Sequence, residues 1–434
     1  MASKEQSLLQ VTVVGQIPKD WKISQIEDVT LRVCVGFVGS CFEDYCDREN
    51  GVPMIRTTNL SEDGLIFSDL KYVTKEFHSK NKKSQLAKGD IVVARHGDSG
   101  KACYYDAEFE SNCLNIIVIR PDKTKCIPKF LLYSFRSPQV RRQIEASIVG
   151  SVQGVLNTKI VAKIKLALPR IEEQKSIADV LSNLDSKIIF NQKMNKTLEA
   201  VGQAVFKRWF VDFEFPNEEG KPYKSSGGEM PNSAMGEIPK GWAIGGLDDI
   251  CEITMGQSPP GETYNETGAG VPFFQGVRDF GFRFPSRRIY CTAPTRFAEV
   301  GDVLLSVRAP VGSLNVAEER CAIGRGVAAL HLKGKHNGFL YYLLLATRSG
   351  WEKYESEGTV FGSATKQDVH DFKIVIPAEN LRDQFGELIE PLDKRILLNE
   401  RESHNLTMIR DSLLPRLMSG KTRVPIPKEN GEAQ

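Results

Sequence analysis

Long apolar runs are missing from this chain. Nowhere do eighteen apolar residues follow one another, so no membrane-spanning helix is expected. The start, "MASKEQSLLQVTVVGQ", has no basic segment leading into an apolar core, so secretion is not expected. Paired cysteines are missing too. The nine cysteines are an odd number, and Cys34, Cys41 and Cys46 cluster without a CxxC spacing. Free thiols in a reducing, cytoplasmic compartment fit that usage. No excess of charge stands out either. The net charge of +2 neither demands nor excludes nucleic acid, because the distribution of charge matters more than its sum.

Familiar catalytic signatures are missing as well. "GKT" at 420–422 lacks the first glycine of a phosphate-binding loop, where Pro415 stands, and a helix end precedes it instead of a strand. No GxGxxG occurs. The Asn/Asp-Pro-Pro-aromatic signature of base methylation is absent, since "SPPG" (258–261) fails at both ends. Chemistry on a flipped base therefore has no visible home. There is no HExxH, and His331 and His336 stand five apart without a nearby cysteine or acid cluster, as surface or packing residues do. Any activity should be borrowed from partners.

What is present is a chain written twice. With 434 residues, 41% apolar and 26% charged, it is a globular chain with room for at least two domains. "IPKDWKISQIEDV" (17–29) recurs as "IPKGWAIGGLDDI" (238–250), and "VPMIRTTNLSEDGLIF" (52–67) as "VPFFQGVRDFGFRFP" (271–285). "KGDIVVARHGDSG" (88–100) recurs as "VGDVLLSVRAPVG" (300–312), each reading as turn, strand and loop. Residues 150–185 face 358–393 at a constant offset of 208. Gly150, Gly154, Pro169, Leu184 and Asp185 meet Gly358, Gly362, Pro377, Leu392 and Asp393, with Gln174 against Arg382 as the mismatch. The period is far longer than that of a solenoid repeat, so whole domains are duplicated.

Each half ends in a long helix. Ile177, Leu184, Asn191, Leu198 and Val205 are spaced by seven, as are Phe385, Leu392, Asn399, Leu406 and Leu413. Val180, Leu181, Ile188, Met194 and Val201, and then Leu388, Ile389, Ile396 and Ile409, widen these into heptad seams. Helices over 172–210 and 380–418 would run roughly 50–55 Å and need a partner for the stripe. The simplest burial is against each other, antiparallel. Pro391 should kink the second near its first turns. Asn191 and Asn399 either meet in the seam and set its register, or face solvent at its edge.

The expected architecture is mixed α/β, with two pseudo-two-fold-related globular heads separated by two long antiparallel coiled-coil helices. Its segments are an N-terminal extension (1–16), head one (17–168), the central helix (169–213), a polar linker (214–237), head two (238–376), the C-terminal helix (377–419) and a polar tail (420–434). Two like sites at a fixed separation suit DNA, whose half-sites recur every ~34 Å. Base reading needs Arg, Lys, Asn or Gln on loops. In head one, Arg56, Thr57 and Asn59 follow a short apolar run, and Arg95, His96 and Lys101 follow a strand. Head two offers Gln275, Arg278 and Arg283, then Arg308, at matching places with different residue types. Arg141 and Arg142 on a short basic helix suit phosphate. Taken singly, each is also what an ordinary solvated loop or helix face would carry.

The two "IPKxW" motifs, the two "GD" strands, "PRIEEQKSIADVLSNLD" and "EAVGQAVFKRWFVDFEFP" (199–216) resemble the specificity subunit of type I restriction-modification enzymes over nearly the whole chain. The resemblance implies that each head is a target recognition domain reading one half of a bipartite, asymmetric site on double-stranded DNA. It further implies that the helices set the gap, that two methyltransferase subunits dock on the scaffold, and that motor-nuclease subunits join for cleavage. This chain would be non-catalytic and hold no cofactor, with methyl donor, ATP and Mg in its partners. "GSATKQD" (362–368) departs from "GVLNTKI" in the first half, so the two heads should differ at their bases. A homodimer would repeat a symmetry already present, so no obligate self-pairing is expected. The competing reading is a two-headed adaptor clamping protein partners.

Overall fold

The computed structural model describes residues 9–62, 64–149, 155–354 and 362–425. The repeated glycines Gly150, Gly154 and Gly358 lie outside the described residues, as do 1–8 of the expected extension and 426–434 of the expected tail. The chain divides into two compact units, one of residues up to 189 together with those from 403, the other of residues 190–402.

In the first unit, continuous apolar runs build a sheet whose central strands are buried on both faces. Its strand order is Ala102–Tyr104, Ile91–Ala94, Ile116–Pro121, Thr30–Val35, antiparallel throughout. Ile91 and Val93, with Ile117 and Ile119, face a core shared with the helix Pro128–Arg136 and the long helices. Val92, Ala94, Ile116 and Val118 face the opposite core, as a period of two requires. A second sheet orders Asn112–Cys113, Gly51–Ile55, Lys71–Thr74 and Tyr45–Cys46, with the first pair parallel. Lys22–Gln25 pairs with Lys165–Leu168 and closes the head on itself.

The second unit repeats this plan, with one further strand, Phe297–Ala298, at the edge of its second sheet. Leu314–Val316, Val303–Ser306, Val327–Leu332 and Cys251–Met255 form its antiparallel sheet, and Val271–Phe274 pairs in parallel with Cys321–Ile323 in the other. Ala243–Gly245 closes on Ile374–Ile376. The "GD" motif now has a reason. Gly89 and Gly301 turn at φ 101° and 87°, and Asp90 and Asp302 are buried beside them. Asp90 accepts from Ala87 N and from both arms of Arg120 at 2.7 Å; Asp302 accepts from Glu299 N and shares 2.7 Å with His331 Nδ1. The histidine thus packs where the first head has an arginine.

The long helices run Ile171–Phe206 and Glu379–Met418, the first ending in a π-helical turn, Lys207–Val211. Each unit contains a stretch of both, running in opposite directions. In the first unit Asp185 of one helix pairs with Arg410 of the other. In the second, Asn191 lies against Asn399 and Asn195 against Ile396. Ile177, Leu181 and Ile188 are buried, as are Phe385, Ile389 and Ile396. Three expected seam residues are exposed instead: Val201, Leu388 and Ile409. A seven-residue spacing drifts on a helix of 3.6 residues per turn, and the heads cover part of the surface that a lone coiled coil would bury. The second helix is unbroken through Pro391, which sits on its exposed side.

The doubled "IPKxW" is the seat of each head on the helices. Trp21 is buried, donates from Nε1 to Glu173 at the start of the first helix, and packs against Gly420 beyond the end of the second. Arg423 bridges Glu173 and Asp20, so the first residues of the expected tail are held. Trp242 instead meets Phe210, Phe213 and Phe215 at the end of the first helix. Phe215 is sandwiched between Tyr223 at 4.6 Å and Trp242 at 5.3 Å, so the polar stretch 214–237 is folded down by its aromatics. Residues 9–16 likewise form a hairpin with Gln10 donating to Pro18 O and Trp21 O.

Leu304 is fully buried on the inner face of the second head's sheet. Leu304→Ala should lower stability by about 2–5 kcal/mol, read as a shift in denaturant midpoint at unchanged slope.

Candidate nucleic-acid interface

In each head three loops meet at the ends of the strands. In head two, Gly324 N donates to Phe274 O and Val307 N to Gly326 O, which draws the segments after Phe274, Ser306 and Ile323 together. Gln275, Arg308 and Arg325 are exposed on these three segments, and Arg278 follows on the first. Gly324 and Gly326 permit the approach. A Cβ on Gly326 would stand 2.3 Å from Gln275 O. In head one, Leu114 N donates to Ile55 O and Arg95 reaches Asn115 Oδ1 at 2.7 Å, with Asn115 at φ 55° where an asparagine is tolerated. His96 is exposed, Thr57 half-buried, and Arg56 half-buried against Asp69.

Two of the sequence candidates are structural. Asn59 is buried; its Oδ1 accepts from Arg56 N, and its amide donates to Ile66 O and Asp69 O. Asp279 caps the same loop in head two by accepting from Gln275 N. Arg283, expected on a DNA-facing loop, is 2% exposed. Its guanidinium lies 3.8 Å over Tyr341 and pairs with Asp393 at 2.7 Å and Glu199 at 3.1 Å. Burial raises the Asp393 carboxyl, against the pull of Arg283. Arg283 is charged, its carboxylates and tyrosines outweighing the cost of burial, and both terminal nitrogens are engaged inside the unit.

Lys101, Arg141 and Arg142 line one cleft of about 610 Å³ in the first unit, with Arg136 and Arg410 deeper in. Lys101 pairs with Asp98, and Arg136 and Arg410 with Asp185, which leaves Arg141 and Arg142 as the exposed cations of its rim. Glu62, Asp98, Glu145 and Asp411 share the lining, so the cleft is mixed in sign. Arg325, between two glycines, was not singled out from the sequence. Its "GRG" context is the signal that marks it. The loop after Phe37, whose carbonyl accepts from Asn115 N, exposes Val38 and Phe42.

Asn191 and Asn399 are both buried in the second unit's helix pair. Asn191 donates to Glu402 Oε2 at 2.8 Å, and Asn399 to Asn195 Oδ1 at 2.8 Å. A layer of three amides and a carboxylate thus spans the seam.

A family profile described as "Type I restriction modification DNA specificity domain" matches residues 18–200 and 239–408. The protein assigned to the MjaX type I restriction enzyme as its specificity subunit in Methanocaldococcus jannaschii is 30% identical over 95% of this chain and 96% of its own length. The HindI type I restriction enzyme specificity subunit of Haemophilus influenzae is 22% identical over 93% of this chain and 99% of its own. The crystal structure of a type I restriction-modification S subunit from M. genitalium shares the fold at a TM-score of 0.55, with 17% identity, covering 92% of this chain and 96% of that one. The chain therefore belongs to the type I restriction-modification specificity-domain family. Within it, this is a specificity subunit, the non-catalytic component that gives such a complex its choice of DNA sequence.

Burial pushes the Glu400 carboxyl up to about 7, although backbone N–H groups of Arg283 and Phe284 favour its charge. A raised folded-state pKa means that the folded chain binds this proton more tightly than the unfolded one. The stability it contributes is full below the ordinary carboxyl range and is lost as pH rises through about 7. Glu400→Gln should flatten the fall in stability from roughly pH 5 to pH 8, measured as the wild-type-minus-variant difference in unfolding free energy.

Proposed function

We propose that the chain reads a bipartite, asymmetric site on double-stranded DNA, one half with each head, and presents it to two methyltransferase subunits and, for cleavage, to motor-nuclease subunits. The observation that carries this reading is that two loop clusters share one backbone plan and differ in side chains. Arg56 answers to Gln275, His96 to Arg308, and Asn115 to Arg325. Arginine suits guanine and glutamine suits adenine in the major groove, so unlike clusters select unlike half-sites. Arg56, Thr57, Arg95, His96 and Lys101 serve head one. Gln275, Arg278, Arg308 and Arg325 serve head two. Arg141 and Arg142 hold phosphates. The Asn191–Asn399 layer sets the helix register, since a slip would strand buried amides. The methyl donor, ATP and Mg belong to the partner subunits. The work is cytoplasmic, where nine unbridged thiols persist.

The test is methylome sequencing of a host without its own systems, expressing this chain with its cognate methyltransferase. A bipartite methylated motif should appear and vanish when this chain is omitted. Exchanging residues 17–168 for a foreign head should change one half of the motif only. An assembled complex that leaves no such motif, with a methyltransferase active alongside another specificity subunit, would make the chain a two-headed clamp for protein partners. In the same assay Arg325→Ala should relax one half of the motif, lowering discrimination there by roughly 1–3 kcal/mol, about five- to 150-fold, and spare the other half.

A further inference from the structure

We propose that Asp185 and Asp393 are positioning residues that lock the DNA-reading loop of each head to the helices of its own unit, and so restrict the complex to one gap between half-sites. The inference rests on the two-half reading above.

The two aspartates stand 208 residues apart, at the same place in the duplication. In the first unit Asp185 accepts from Arg136 Nη1 at 2.9 Å, from Tyr133 OH at 2.7 Å and from Arg410 at 2.8 Å. The other arm of Arg136 donates to Glu62 O at 2.8 Å. Glu62 lies three residues beyond Asn59, whose side chain closes the loop of Arg56 and Thr57. One guanidinium therefore ties the loop backbone to the helix.

In the second unit the loop supplies the arginine itself. Arg283 lies four residues beyond Asp279, which closes the loop of Gln275 and Arg278. Arg283 pairs with Asp393 of one helix and Glu199 of the other, while Glu400 accepts its backbone N–H at 3.2 Å. Where the first unit has Arg410, the second has Gly202 at the same offset, and a Cβ there would stand 2.3 Å from the Tyr342 hydroxyl. The cation has moved from helix to loop, and the helix has shrunk to admit a tyrosine. The link from reading loop to aspartate persists although its parts differ.

An apolar contact would hold a loop at comparable stability without desolvating charge. A forked, charge-assisted bond adds direction, which apolar packing lacks. With the loop fixed in angle and distance to the helix, half-sites at one gap are met without strain. Freed from it, the loop pivots at the segment just beyond its capping residue, Asn59 or Asp279.

The unaltered chain and the variants Asp185→Asn, Asp393→Asn and Arg136→Lys would each be assembled with the cognate methyltransferase. Each complex would act on plasmids carrying the wild-type half-sites at gaps one base pair shorter, equal or longer. The unaltered chain should modify one gap. Each variant should raise modification at the neighbouring gaps about tenfold, equivalent to ~1.4 kcal/mol, with base preference in both halves unchanged. Arg136→Lys keeps the charge and loses the fork, so it should behave as Asp185→Asn does. Should Asp393→Asn fail to assemble, the head-one variants, at a pair left 17% exposed, decide the matter. A single gap kept by every assembled variant would overturn the proposal, as would an altered base preference, which would put these residues in the reading surface. Absence of any bipartite motif with the unaltered chain would defeat the two-half reading as well, so the two failures are told apart.

Discussion

Everything in this molecule hangs on how a head is fastened to the helices. Each head shares an apolar core with its stretch of the helices, and apolar packing holds the two together without fixing a direction. The chain solves this by sinking charge at the flank. Arg136 and Arg410 converge on Asp185 in one unit, and Arg283 reaches Asp393 and Glu199 in the other. Removing one member of such a buried set strands its partner, at a cost of about 3–5 kcal/mol, far more than a surface pair is worth. Fastening is therefore strong and also directional.

Around that fastening the two halves keep a frame and vary its filling. The order of the four strands common to each sheet, a parallel strand pair in each head and the closing two-stranded ladder recur. Arg120 against Asp90 becomes His331 against Asp302, and Trp21 on Glu173 becomes Trp242 among phenylalanines. Each substitution keeps a bond or a contact and changes its chemistry. The loop tips show the same tolerance, with unlike side chains on one backbone plan.

The legible part of the candidate interface was its location. Short apolar runs ending in Gly, Arg, Asn or Gln point to loops at strand ends, and the structure draws those loops together. Individual roles were less legible. Asn59 and Arg283 look in the sequence like exposed readers, yet one caps a loop and the other fills the junction with the helices. An arginine in "FGFRFP" carries no mark of burial, because its partners Glu199, Tyr341 and Asp393 lie 58 to 110 residues away. Composition misled at 214–237 as well, where a few aromatics outweigh many polar residues once Trp242 offers them a surface.

The sequence alone determined the duplication, the two long helices, the apolar strand runs that follow each Gly-Asp turn, and the family. These are written in local period and in self-similarity, which need no third dimension to be read. Only the tertiary structure decided which polar side chains face solvent and which are spent inside. It made Val201, Leu388 and Ile409 surface residues, joined Arg325 to Gln275 and Arg308, and turned Asp185 and Asp393 into anchors. The reason is physical: burial of a charge depends on partners brought from distant parts of the chain, and a one-dimensional pattern does not carry their positions.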